Sequence, residues 1–348
     1  MIGFMRIYVY MMIFIALTHS QLYAEITGSV TTVVGYFSNV LRDSTKIDDT
    51  QSQTSLSLIF EGNRGTIFYN GYLEAYQTVN ERNIHVHQIG YLYERELRDD
   101  RGFIEAGGSV NFQIDQPEND IYDSNEIELY VSTKYYLRDN WMLRGSYAFD
   151  RASYPNFPTA DFTENRLFAQ SNYFFATRTT LRLQSVMGWS NQVLSLMDSI
   201  ATQGSAGVRW QNSVRIAQSI FTKTGVSLEW TNYYTKSTED VYVGAFLDSR
   251  YTYTGNRISL MLTRRFVPNM TGRLSYTASW LDYLSDAPDQ FDEKRRDDIQ
   301  TISLYFSRSF DNIPLLVFLN LSTRENQSND ALFEYRSNLC TLGASWNF

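Results

Sequence analysis

The chain has 348 residues, 43% of them hydrophobic and 15% aromatic, with a formal net charge of −8. That balance excludes nucleic-acid recognition built on phosphate neutralisation, and it is too modest for a chain kept disordered by its own charge. One cysteine, Cys340, excludes an intramolecular disulfide, and three histidines leave little material for metal or acid–base chemistry.

In chain order, residues 1–24 come first. Arg6 precedes a short apolar run, residues 7–17, and the segment closes on the small residue Ala24. This layout predicts a secretory signal peptide cleaved after Ala24, because the run is about half of the ~20 residues that a spanning helix needs. Residues 25–348 are expected to form one domain.

From Glu25 onward no amphipathic helix stands out. Segments of alternating hydrophobicity recur instead, separated by turn signals. In EIELYVSTKYYL, Ile127, Leu129, Val131, Tyr135 and Leu137 oppose Glu126, Glu128, Ser132 and Lys134. In GSAGVRWQNSVRI, Ala206, Val208, Trp210, Val214 and Ile216 share a face that only Asn212 interrupts. NRISLMLTRRF repeats the pattern, with Ile258, Leu260 and Leu262 against Arg257, Ser259, Thr263 and Arg265. NIHVHQIGYLYER has no clear apolar face, and its register stays open.

Short connections (NRG, LRDDRG, RDN, ATRT, FVPNM, DNIP) alternate with longer polar ones, such as LRDSTKIDDTQ, DQPENDIYDSN, YPNFPTADF and LSDAPDQFDEKRRDD. One end of the structure therefore carries tight turns and the other carries loops. The expected fold is all-β: a transmembrane antiparallel up-and-down β-barrel of about 16 strands (14–18), with short periplasmic turns and longer external loops. A soluble sandwich of so many long strands, each with a charged opposite face, would be unusually large. Aromatics near strand ends (Tyr135, Trp141, Tyr173, Trp230, Trp280) fit interfacial girdles.

The last residues, TLGASWNF, place Leu342, Ala344, Trp346 and Phe348 on one face, and Cys340 fits loosely. This resembles the C-terminal signal strand of bacterial outer-membrane β-barrels, and the final hairpin is similar to that of poorly characterised porins. The resemblance implies residence in the outer membrane of a Gram-negative cell, among its lipids, and recognition of this strand by the barrel assembly machinery.

With the apolar faces in lipid, the opposite faces line a lumen. Glu74, Glu105, Glu126 and Glu128 then form a mostly acidic sector, with Lys134 as the exception. Arg144, Arg166, Arg182, Arg209, Arg215, Arg257, Arg265 and Arg273 form a mostly basic one, against which stand Asp150 and Glu229. Such an arrangement would place a transverse field across the lumen. Tyr72, Tyr76, Tyr130 and Tyr136 are candidates to point inward.

Enzymatic chemistry finds little support. His85 and His87 share a strand face and could form a metal pair or a base near Ser55 or Ser57, but two polar strand residues near an interface is the stronger reading. No G-x-S-x-G, phosphate loop or H-E-x-x-H is present, so no activity, metal or cofactor is expected. The carboxylates of residues 285–298 lack EF-hand spacing and read as a solvated loop.

The expected function is a porin-like channel for passive diffusion of small polar or charged solutes, with homo-oligomers possible. The alternatives are a conduit or assembly component for polysaccharide or protein export, and a surface receptor or adhesin acting through its loops. Residues 194–203 (LSLMDSIATQ) are apolar enough to fold into the lumen.

Overall fold

A computed structural model describes residues 25–62, 65–97, 101–192, 205–237, 252–287, 290–310 and 312–348. The expected signal peptide and the expected lumen loop at 194–203 lie outside the described residues.

Sixteen strands account for most of the chain. They are β1 (Glu25–Phe37), β2 (Asp49–Gly62), β3 (Gly65–Tyr76), β4 (Ile84–Glu96), β5 (Gly102–Asp115), β6 (Ser124–Arg138), β7 (Trp141–Ser153) and β8 (Phe162–Phe174). The second half comprises β9 (Thr179–Gln192), β10 (Ser205–Phe221), β11 (Thr224–Ser237), β12 (Tyr253–Val267), β13 (Met270–Ala287), β14 (Gln290–Phe310), β15 (Ile313–Ser328) and β16 (Tyr335–Asn347). Each pairs antiparallel with its sequence neighbours, and β1 pairs with β16, so the sheet is a closed barrel. The strand count and closed antiparallel topology are those the alternation implied. The short-turn end also carries a connection between Phe221 and Thr224 that the turn signals did not mark. The acidic segment 285–298 is drawn largely into a long β13–β14 hairpin, with Asp286 opposite Lys294, rather than standing free as a loop.

Closure needs the last strand to meet the first without an edge. Gly28 and Phe348 exchange both backbone hydrogen bonds, each at 2.8 Å. A Cβ on Gly28 would fall 2.7 Å from the Phe348 ring, so glycine makes the room in which that ring lies. Cys340, Leu342, Ala344 and Trp346 share the outer face of β16, which Phe348 continues beyond its end, while Leu339, Thr341, Gly343 and Ser345 face inward with their partners on β1 and β15.

The side-chain period of two gives the wall two chemistries. Outside, Val34, Leu129, Leu167, Leu183, Ile216, Leu228, Leu260 and Leu342 are exposed to whatever surrounds the barrel. A ring of strands that exposes this much apolar area is stable only in lipid. Trp141, Tyr173, Phe221, Phe266 and Trp346 are exposed towards the short-turn end, whereas Trp210 and Trp280 stand nearer the loops and Trp230 lies at mid-strand. Asn212, which breaks the apolar face of β10, sits on the outside in a row with Ser185 and Asn232. The Trp210 indole N–H donates to Asn212 Oδ1 at 2.9 Å and Ser185 Oγ at 3.0 Å, so the polar interruption serves an interfacial tryptophan.

Candidate functional site

The inner wall is the candidate site, and antiparallel register decides which of its charges touch. Directly opposed residues on adjacent strands share a face. The pairings place Glu74, Glu105, Glu126, Glu128 and Lys134 on the lumen side. Arg144, Arg166, Arg182, Arg209, Arg215, Arg257, Arg265 and Arg273 lie on the same side. So do Tyr72, Tyr76, Tyr130 and Tyr136. The hydroxyls of Tyr72 and Tyr76 both donate to the Glu74 carboxylate.

The charges of the two sectors meet along the wall in a way that spacing alone does not disclose. Glu128 on β6, Asp150 on β7 and Glu164 on β8 are successive register partners, three carboxylates side by side. The adjacent row carries Ala148, Arg166, Gly188 and Arg209 across β7 to β10. Two guanidiniums thus answer three carboxylates. Arg166 donates to Asp150 through both Nε and a terminal nitrogen, each at 2.9 Å, and reaches Glu128 at 3.0 Å. Arg209 reaches Glu164 at 2.6 Å although β9 lies between them. Gly188 is why: a Cβ there would collide with Glu164 Oε1 and stand 2.9 Å from Arg209 Nε. Without these arginines, like charges about 5 Å apart would face one another unscreened.

Other basic residues have neutral partners. Arg182 Nε donates to Asn172 Oδ1 at 3.0 Å, and Arg257 Nε donates to Ser279 Oγ at 3.1 Å. Arg144 lies over the Phe168 ring at 5.9 Å and Arg273 over Tyr305 at 5.8 Å. Lys134 sits over both Phe103 and Tyr136. Arg215 is register partner to both Arg182 and Glu229, and its nearest approach to that carboxylate is 3.9 Å. Arg144, Arg182, Arg257 and Arg273 thus hold their charge against aromatic faces, an amide and a hydroxyl among the described residues.

The sequence reading missed Glu164, which alternation along β8 would have placed beside Arg166 on the inner face. It also missed Gly188, for which the only sequence signal is a glycine inside a strand pattern. His85 and His87 lie on the outer face of β4, with the His87 Nδ1 2.9 Å from the Tyr69 hydroxyl. Ser55 and Ser57 lie on the inner face of β2, so the barrel wall separates them from both histidines. Among the described residues no group of three His, Cys, Asp or Glu side chains is placed to hold a metal ion.

A closed barrel of this kind has known counterparts. It is similar to OccAB1 of Acinetobacter baumannii, with a TM-score of 0.56 and 11% identity over 93% of this chain and 96% of that one. The fold is that of an outer-membrane channel. The outer membrane channel DcaP of the same organism gives a TM-score of 0.52 and 11% identity, covering 93% and 97% of the two chains. A bacterial polysaccharide outer membrane secretin gives 0.53 and 11%, covering 92% and 98%. At such identities the likeness is one of fold. No family model and no curated protein matches the sequence.

Proposed function

We propose that the protein is an outer-membrane channel through which small polar or charged solutes diffuse passively. One observation carries this reading: sixteen strands close into a ring whose outer face is apolar and whose inner face bears arginines, carboxylates and amides. Barrels of this strand number are wide enough to hold water, and a hydrated, charged wall lets polar solutes pass without energy input. Arg144, Arg182, Arg257 and Arg273, whose contacts are neutral, supply the charge preference in this reading; Arg166 and Arg209 mainly balance their neighbours. The alternation of Leu342, Ala344, Trp346 and Phe348 on β16 is read as the assembly signal, and residues 1–24 as the segment that directs export.

Planar-bilayer currents under a salt gradient test the proposal. Stable current steps with a non-zero reversal potential are expected. Replacing Arg182 and Arg257 together by Gln is expected to move that potential towards cations, since these guanidiniums contact only the neutral Asn172 and Ser279 through their Nε atoms. An unchanged potential would remove the role given to the wall charges.

A second reading, a conduit for polysaccharide, is favoured by inward tyrosines such as Tyr72, Tyr76, Tyr130 and Tyr136, because sugar faces pack on aromatic rings. A conducting barrel that long oligosaccharides never block would remove it.

A further inference from the structure

One stretch of the inner wall is hollow. Across β13, β14, β15, β16, β1 and β2, a single register row reads Arg273, Tyr305, Asn320, Thr341, Gly35 and Gln51. The rows on either side bring in Ser275, Ser303, Phe37, Phe318 and Gln53. The Thr341 side chain lies against Gly35 and the Phe318 ring lies over Gly343, so these side chains bound the space, and the serines fill little of it. A Cβ on Gly35 would press on Thr341, and one on Gly343 would collide with the Phe318 ring. The result is a recess of about 460 Å³ opening on the lumen, within the size range of small-molecule sites.

Its chemistry is uneven in a useful way. Three amides (Gln51, Gln53, Asn320) and three hydroxyls (Ser275, Ser303, Thr341) line it, together with the rings of Phe37, Tyr305 and Phe318. Arg273 is the one charged residue in the lining. Its guanidinium lies over Tyr305, whose ring stacks on Phe318 at 6.0 Å and 29°. A guanidinium held through its flat face keeps N–H donors at its edge for a ligand. Glu74, register partner of Gln53, is occupied by the Tyr72 and Tyr76 hydroxyls.

We infer that this recess is a binding subsite for an acidic monosaccharide: a pyranose ring with free hydroxyls and one carboxylate. The carboxylate pairs with Arg273, the hydroxyls exchange hydrogen bonds with the amides and hydroxyls, and the C–H faces pack on the aromatic wall. A plain aromatic acid would strip water from neutral polar side chains such as Gln53, Asn320, Ser275 and Thr341 and give nothing back. A neutral sugar would leave the cation without an anion. The inference rests on the channel reading only in that the ligand arrives through the lumen.

Titration calorimetry on the full protein, purified in detergent from the membrane, reads the subsite without requiring conduction. Glucuronate is the probe, with glucose and benzoate as the two halves of its chemistry. Glucuronate is expected to bind about tenfold more tightly than glucose, as a charge-assisted hydrogen bond is worth, and more tightly than benzoate through its hydroxyl hydrogen bonds. Arg273→Gln should erase its advantage over glucose, and Asn320→Leu should reduce its advantage over benzoate. Arg273→Lys, which keeps the charge, should retain part of it. Heat-modifiable gel migration shows that each variant is folded. Equal affinity for the three probes, or full glucuronate binding in folded Arg273→Gln, overturns the inference. A barrel that binds glucuronate but passes no current keeps the subsite and overturns the channel; one that conducts without binding does the reverse.

Discussion

At the scale of single residues, the wall works because a glycine replaces a side chain where two charges must cross a strand. Gly188→Val should force Glu164 and Arg209 apart and lower the stability to urea by about 1–3 kcal/mol, the usual cost of overpacking. Gly145→Val is the control, since a Cβ there meets nothing closer than 3.8 Å, and it should change stability little. Tryptophan fluorescence during urea unfolding of the lipid-reconstituted barrel measures both. Arg166→Gln tests the row itself. It leaves Glu128 and Asp150 together without their shared cation, and a loss of about 2 kcal/mol is expected, between the values for exposed and buried pairs. Adding Asp150→Asn should recover most of it; no recovery would mean that Arg166 acts through packing alone. The faces of all these residues were legible from alternation. Their contacts were not: adjacency across strands depends on register, and register is set by turns and closure. Glu164 meeting Arg209 over Gly188 needs three strands aligned at once.

At the scale of the strand, neighbouring residues live in different solvents. Leu260 is exposed on the outer face of β12, while Ser259 faces inward, its hydroxyl 3.2 Å from that of Thr277. Leu260→Arg should cost about 2–4 kcal/mol if it lies near the bilayer midplane, whereas Ser259→Arg should be tolerated. Unfolding midpoints of the two variants in the same lipid decide this, and equal costs would mean that the two faces do not differ as described. Strands such as β6 and β12 declared themselves in the sequence because apolar residues recur at alternate positions, Ile127, Leu129 and Val131 in one and Ile258, Leu260 and Leu262 in the other. β4 did not, because His85 and His87 occupy outer positions that apolar residues fill elsewhere, and its register became visible only through pairing with β3 and β5. The β13–β14 hairpin was hidden for the opposite reason. Charged residues at 292–298 have the composition of a loop, yet Arg295 bonds Asp297 at 3.0 Å and lies over the rings of Tyr283 and Phe333, a set of partners that holds the extension in place.

At the scale of the whole molecule, the balance of short turns and long connections, the two-faced strands and the closing pair of β1 with β16 describe one object: a lipid-embedded ring around a polar interior. The number of strands was readable because each hairpin announces itself locally. The recess beside Arg273 was not, because it is assembled from six strands at opposite ends of the sequence. Passive diffusion through the ring is tested most directly by the swelling of liposomes that contain the full protein, diluted into isotonic solutions of small neutral sugars of increasing size. Swelling that is fast for the smallest sugar and slows steadily with size is the expected result. Liposomes that stay intact while the protein is shown to be folded and inserted would contradict it.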